Sequence, residues 1–301
     1  MGSSSSWGGV FPAATTQFKS DLSLDLDATA AHLETLIQSG IAGLVMLGSL
    51  GENVTLTAEE KREVVRCAVT ISNGRVPVLS GVAELNTAAA CRWLGELETL
   101  GASGAMVMPC MAFRPDREEC LAHYKTVAES TSLPLIVYNN PISYYADVTP
   151  AMFAELADCP NLVAIKESSG DVRRITDLIN ALGDRFVIFA GVDDLALESI
   201  FLGAKGWIAG VGLAFPKENQ RLWDLAAAGK WDEARALYRW YMPLLHLDVG
   251  PKFVQNIKLA VQEVGLGREW VRLPRLSLQG AERQGVLDVI RNALEKRPVL
   301  N

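Results

Sequence analysis

Histidine is scarce in this chain. Only His32, His123 and His246 occur in 301 residues, and none belongs to an HxxxH or HxH pair. The sequence therefore predicts no metal site, and no cofactor is expected. The five cysteines, Cys67, Cys91, Cys110, Cys120 and Cys159, are odd in number and show no CxxC spacing. That pattern reads as reduced thiols of a cytoplasmic protein, not as a disulfide framework. Basic stretches are also missing: the net charge is −7 and the pI about 5.2, which argues against a nucleic-acid-binding surface. No apolar run reaches the roughly 18 residues of a membrane span. The expectation is a protein that engages neither nucleic acid nor membrane. The opening "MGSSSSWGGV" lacks the charged and apolar regions of a secretory signal, and its serine run reads as a flexible tail over residues 1–9.

What the chain does have is 49% hydrophobic residues, enough for a large core. Short apolar runs recur at 10–15, 43–47, 77–80, 105–108, 135–138, 162–166, 187–190 and 207–209. Amphipathic segments separate them at 27–39, 58–72, 87–100, 117–130, 150–157, 172–181 and 194–202. This α/β alternation predicts a parallel sheet closed into a (β/α)8 TIM barrel over 10–214. The pieces "SGIAG", "LGASG" and "LGAKG" each offer a glycine that can end a helix before the next strand. A doubly wound open sheet is the competing fold, but no GxGxxG follows the first strand. After about Phe215 the strand signals stop, and 215–301 reads as a C-terminal helical extension packed on the barrel. It serves as a cap completing the core or as a subunit surface.

In a TIM barrel the C-terminal strand ends form the active face. Three marked segments fall there: "GSLGEN" (48–53), "VYNNP" (137–141) and "VAIKESSGD" (163–171). Lys166 ends a run buried on both faces. Apolar walls disfavour its ammonium form, and the freed amine can attack a ketone to form a Schiff base. The structural alternative is a lysine paired with Glu167. Tyr138 ends its own strand and can shuttle a proton at the same mouth, or can simply be an aromatic core residue. In "GSLGE", Gly48, Ser49 and Leu50 form a turn whose amides can converge on an anion. The plainer reading is a strand-to-helix turn, with "TAEE" (57–60) capping the next helix.

Together these parts suit Schiff-base chemistry on a 2-keto acid. "GSLGE", "YNNP" and "IKESSGD" resemble, in order and spacing, the strand ends of the dihydrodipicolinate synthase/N-acetylneuraminate lyase family of class I aldolase barrels. The likeness runs from "GVFPAATTQF" to "VRLP". It implies that Lys166 is the Schiff-base lysine and that Tyr138 positions and transfers protons. It implies that Ser49 and the Leu50 amide bind the substrate carboxylate, and that Ile208 presents a backbone carbonyl to the keto acid. Gly191 and Gly210 would let the chain pass close to that substrate. A homotetramer or homodimer is expected.

The chain departs from the synthase pattern at three places. Leu50 stands where a second threonine is usual, and Cys110-Met111 replaces a tyrosine pair that reaches a neighbouring subunit. Ser143 stands where an arginine holds the second substrate's carboxylate, with Tyr144 and Tyr145 following. The segment "YRWYMPLLHLDVGPKFVQNIKLA" (238–260) resembles a subgroup associated with hydroxyproline catabolism. That resemblance implies a 1-pyrroline-4-hydroxy-2-carboxylate deaminase yielding 2-oxoglutarate semialdehyde and ammonia. Lys166 would attack C2 of this cyclic imino acid and open the ring. The protonated imine would then acidify C3 so that the C4 hydroxyl leaves. Alternatives are a 2-keto-3-deoxy sugar acid aldolase or dehydratase, dihydrodipicolinate synthase itself, or a catalytically silent keto-acid-binding barrel. Because the lysine supplies the electron sink, turnover is expected to survive exhaustive chelation. Activity lost to EDTA and restored by added metal overturns that expectation.

Overall fold

The computed structural model describes residues 7–110 and 112–300. Eight parallel strands form one sheet: β1 (Gly9–Val10), β2 (Leu44–Met46), β3 (Val78–Val82), β4 (Gly104–Val107), β5 (Leu135–Asn139), β6 (Leu162–Glu167), β7 (Val187–Ala190) and β8 (Gly206–Trp207). Neighbours pair in chain order from β2 to β8, and β8 pairs back onto β1. The last seam, between β1 and β2, closes just beyond the regular part of β1. There Ala13 bridges to Val45, Ala14 N–H donates to Val45 O at 2.9 Å and Val45 N–H donates to Pro12 O at 3.0 Å. The fold is a (β/α)8 TIM barrel.

The first strand is shorter than its apolar run predicts. Expected over 10–15, regular pairing ends at Val10. Pro12 has no N–H to give to a ladder. The residues around it divide their bonds between two neighbours: Phe11 and Ala13 donate to Trp207 and Ala209, whereas Ala14 donates to Val45. The chain stays extended and closes the barrel without a continuous ladder. Of the expected tail, residues 1–6 lie outside the described residues; Trp7 packs its ring against Phe11, and Gly9 pairs with Gly206.

Helices α1 (Leu26–Gln38), α2 (Ala58–Ser72), α3 (Thr87–Leu100) and α4 (Arg117–Glu129) follow the first four strands. After β5 come α5 (Pro141–Tyr144) and α6 (Pro150–Leu156), then α7 (Arg173–Leu182) and α8 (Ala196–Phe201) after β6 and β7. Local chemistry sets these boundaries. Thr57 and Glu60 form a reciprocal capping box at the start of α2, and Gly101 ends α3 in the left-handed region. The single turn α5 is too short to announce itself by periodicity. It begins with Pro141 and is capped by Asn140, whose Oδ1 accepts from Ser143 N–H at 3.0 Å.

The C-terminal extension consists of α9 (Pro216–Ala227), α10 (Trp231–Leu245), α11 (Phe253–Glu263) and α12 (Gly280–Glu295). A buried charge pair helps tie it to the barrel mouth. Lys258 of α11 is 0% exposed, and its Nζ donates to Glu52 Oε1 at 2.8 Å and to Thr16 O at 2.9 Å. Glu52 Oε2 accepts from Arg272 N–H at 3.1 Å. Removing one partner of such a pair strands the other as a buried charge, at a cost of about 3–5 kcal/mol. Lys258→Met is therefore expected to lower the urea midpoint by that equivalent, and Glu52→Gln added to it to recover part of the loss. A single variant with an unchanged midpoint would refute the anchoring role.

Candidate active site

Lys166 lies on β6 in register with Tyr138 of β5 and Phe189 of β7. Alternation along the strand turns its neighbour Glu167 to the other face. There the carboxylate accepts from Asn139 Nδ2 at 3.0 Å and from Ser169 N–H at 2.6 Å. The pairing of Lys166 with Glu167 is thus excluded by geometry. Lys166 is 7% exposed, and its Nζ stands 4.2 Å from the centroid of the Tyr138 ring. Burial lowers its pKa below the ordinary lysine value, while the neighbouring acidic groups of Asp248, Tyr144 and Asp193 oppose that shift. The amine is therefore more readily neutral than a surface lysine's.

Tyr138 is buried, and its hydroxyl accepts from Asn140 Nδ2 at 3.0 Å. Burial raises its pKa above the usual phenol value. Edge-on to it, at 5.5 Å between centroids, packs Tyr144 of α5. The Tyr144 hydroxyl is hydrogen-bonded to Ser49 Oγ. One chain therefore brings Ser49 and two tyrosines together beside the lysine. The sequence marks Tyr144 only by its spacing, as a second tyrosine six residues beyond Tyr138. Tyr145 instead takes a left-handed conformation and is 68% exposed.

The turn after β2 completes the wall. Asn53 Nδ2 donates to Leu47 O at 2.9 Å, and Glu52 N–H to Ser49 O at 3.1 Å, closing the loop on itself. Among the described residues no acceptor takes the amide protons of Ser49 and Leu50. Gly191, just past β7, has no room for a side chain: a Cβ would lie 2.0 Å from Ser168 Oγ and 2.8 Å from Lys166 Cγ. That glycine lets the backbone close on the lysine stem.

Gly48, Ser49, Leu50, Tyr138, Ser143, Lys166, Gly191 and Ile208 all line one cavity of about 250 Å³, so the structure gathers every residue expected there. Gly210 lines it as well, and its small size makes room for Asp248 rather than only for a substrate. Met111 lies outside the described residues; beside it, Cys110 Sγ donates to Leu85 O at 3.2 Å. Sequence reasoning missed two charged residues on this wall, Asp248 and Arg275. Both come from the C-terminal extension, far in sequence from any strand end. The Arg275 guanidinium lies 3.9 Å from Glu52 Oε2. Among the described residues no group of three or more His, Cys, Asp or Glu side chains is arranged to hold a metal ion, and no helix is long and apolar enough to cross a membrane.

Comparison with known proteins places this geometry among relatives. The dihydrodipicolinate synthetase family matches residues 6–293. The 4-hydroxy-tetrahydrodipicolinate synthase of Methanospirillum hungatei is 33% identical over 269 residues, 88% of this chain and 92% of that protein. The solved structure of 4-hydroxy-tetrahydrodipicolinate synthase from Methylacidiphilum fumariolicum SolV superposes with a TM-score of 0.91 at 31% identity, covering 96% of this chain and 98% of that one. YagE from E. coli K12, a prophage protein of the dihydrodipicolinic acid synthase family solved in complex with pyruvate, gives a TM-score of 0.89 at 27% identity, covering 96% and 99%. Borohydride reduction with pyruvate present is expected to add mass to the peptide carrying Lys166, and Lys166→Ala to abolish the adduct. An adduct mapped to Lys61, Lys205 or Lys258 overturns the assignment.

Proposed function

The chain belongs to the dihydrodipicolinate synthetase family and is an enzyme of the class I aldolase superfamily, and on that premise we propose that it deaminates 1-pyrroline-4-hydroxy-2-carboxylate to 2-oxoglutarate semialdehyde and ammonia. The observation that carries the reading is a buried lysine without an ion-pair partner among the described residues, facing a small cavity whose expected second-carboxylate position holds Ser143 instead of an arginine. The pyruvate complex of YagE supports a small keto acid or a related compound as the substrate class.

In this reading the free amides of Ser49 and Leu50, with the Ser49 hydroxyl, hold the single carboxylate, and Ile208 O receives a donor from the substrate. Gly48 and Gly191 keep the turn and the lysine stem close to it, while Ser143 borders the far part of the substrate. Lys166 Nζ adds to C2 of the ring imine. The C2–ring nitrogen bond then breaks, leaving an iminium at C2 and an amine on C5. Tyr138, having given its phenol proton to the departing ring nitrogen, takes a proton from C3 as the phenolate, and the C4 hydroxyl departs as water. Tautomerisation carries the unsaturation to the C5–nitrogen bond. One water then enters at C5, releasing ammonia, and another at C2, releasing Lys166. With one water lost and two gained, the reaction consumes one water overall.

A second reading is favoured by the names of the relatives, which are 4-hydroxy-tetrahydrodipicolinate synthases, and by Arg275 at the cavity wall. A guanidinium arriving from the C-terminal extension can hold a second carboxylate. Its proximity to Glu52 leaves less of its charge for that task, which favours the one-carboxylate substrate. The two readings separate in one experiment with purified enzyme at matched concentration. Ammonia release from 1-pyrroline-4-hydroxy-2-carboxylate is expected, together with negligible condensation of pyruvate with aspartate semialdehyde. Efficient condensation without ammonia release would establish the second reading.

A further inference from the structure

Among the described residues Asp248 is the one acidic side chain on the cavity wall, and no strand of the barrel supplies it. It ends the short turn between α10 and α11. Its Oδ1 is buried and has no hydrogen-bond partner among the described residues. The carboxyl lies directly over Gly210, where an added Cβ would come within 2.4 Å of Oδ1. The nearby carboxylate cannot compensate it. Asp193 is committed to backbone and indole donors: Val211 N–H at 2.7 Å, Trp207 Nε1–H at 2.9 Å and Gly210 N–H at 3.0 Å.

Two carboxyl groups thus share one neighbourhood with a single lysine, and all the donors go to Asp193. Ionised, Asp248 would place charge on a buried oxygen, Oδ1, that no donor meets among the described residues, which is costly. Protonated, it becomes a hydrogen-bond donor facing the cavity. Burial, then the neighbouring carboxyl of Asp193, hold its pKa well above the usual carboxylate range; Lys166 opposes them, and Asp194 adds to the rise. The same arrangement raises Asp193 only to about 6.

We propose that Asp248 is the general acid that protonates the departing C4 hydroxyl group, a role that rests on the deaminase reading above. The step balances as follows. The electron pair of the C2–C3 enamine re-forms the C2 iminium as the C3–C4 double bond is made and the C4–O bond breaks. The oxygen leaves with the Asp248 proton as water. The carboxylate left behind takes a proton from C5, whose C–H pair forms the C4–C5 double bond, and C3 recovers a proton from Tyr138. Asp248 is thereby reset, and the unsaturation now adjoins the C5 nitrogen.

The test compares wild type with Asp248→Asn, which keeps the shape and removes the acid. Ammonia release from 1-pyrroline-4-hydroxy-2-carboxylate is expected to fall by about 100-fold or more. Borohydride trapping of pyruvate on Lys166, and exchange of the pyruvate methyl protons in D2O, need no leaving group and are expected to stay at wild-type levels. Ammonia release unchanged in the variant overturns the proposal. Loss of trapping and exchange together with ammonia release also overturns it, because Asp248 would then act through Lys166 or the fold. A wild type that traps and exchanges pyruvate but releases no ammonia overturns the substrate reading and the acid role with it.

Discussion

The buried pair between Glu52 and Lys258 holds the mouth of this barrel in shape. Glu52 occupies the left-handed region at the end of the turn that carries Ser49 and Leu50. Lys258 meets it from α11 and also bonds Thr16 O, beyond the seam where β1 closes on β2. A loop of small residues with unspent amides has little of its own to keep it in place. Here it is held by a charge pair taken wholly out of water, whose worth depends on both members staying hydrogen-bonded. The same contact brings the C-terminal extension over the strand ends, so the segment that completes the core also sets the far wall of the cavity.

The site follows from a division of labour among carboxyl groups. Glu167 is turned away from the cavity by strand alternation and satisfied by Asn139 and Ser169. Asp193 is fixed by three N–H donors and shapes the turn after β8. Asp248 alone is left with a buried oxygen unpartnered. Lys166 therefore sits among acids of different standing without a direct ion pair to any of them, and burial is the leading influence on its protonation.

Most of the barrel was legible because buried parallel strands write themselves as short β-branched runs, and α2 and α3 carry clear caps and periodicity. β1 was overextended because apolar character persists through Ala14, whereas pairing is interrupted at Pro12. In the site, Lys166, Tyr138 and the glycine turn stood out since each is an unusual residue at a strand end. Tyr144 was harder to place: it rides on a single helical turn whose direction depends on Pro141 and the Asn140 cap. Arg275 carried no local signal, and Asp248, although it lies in the quoted 238–260 segment, has nothing beside it that marks a site. Their placement depends on how the last four helices dock, a tertiary outcome that no short motif records.

The single turn α5 has a further consequence. Ser143 and Tyr144 reach the cavity from it, while its Ile142 is 70% exposed and its four residues include none that is buried. The anchors of the lysine and of the glycine turn after β2 lie elsewhere, in strand registers and the Glu52–Lys258 pair. On the proposed reading, substitutions on α5 would alter what the cavity accepts with little effect on whether the chain folds. The barrel would then hold the lysine in a part that tolerates little change and the border of its cavity in one that can change at small cost to stability, so preference and fold could vary separately.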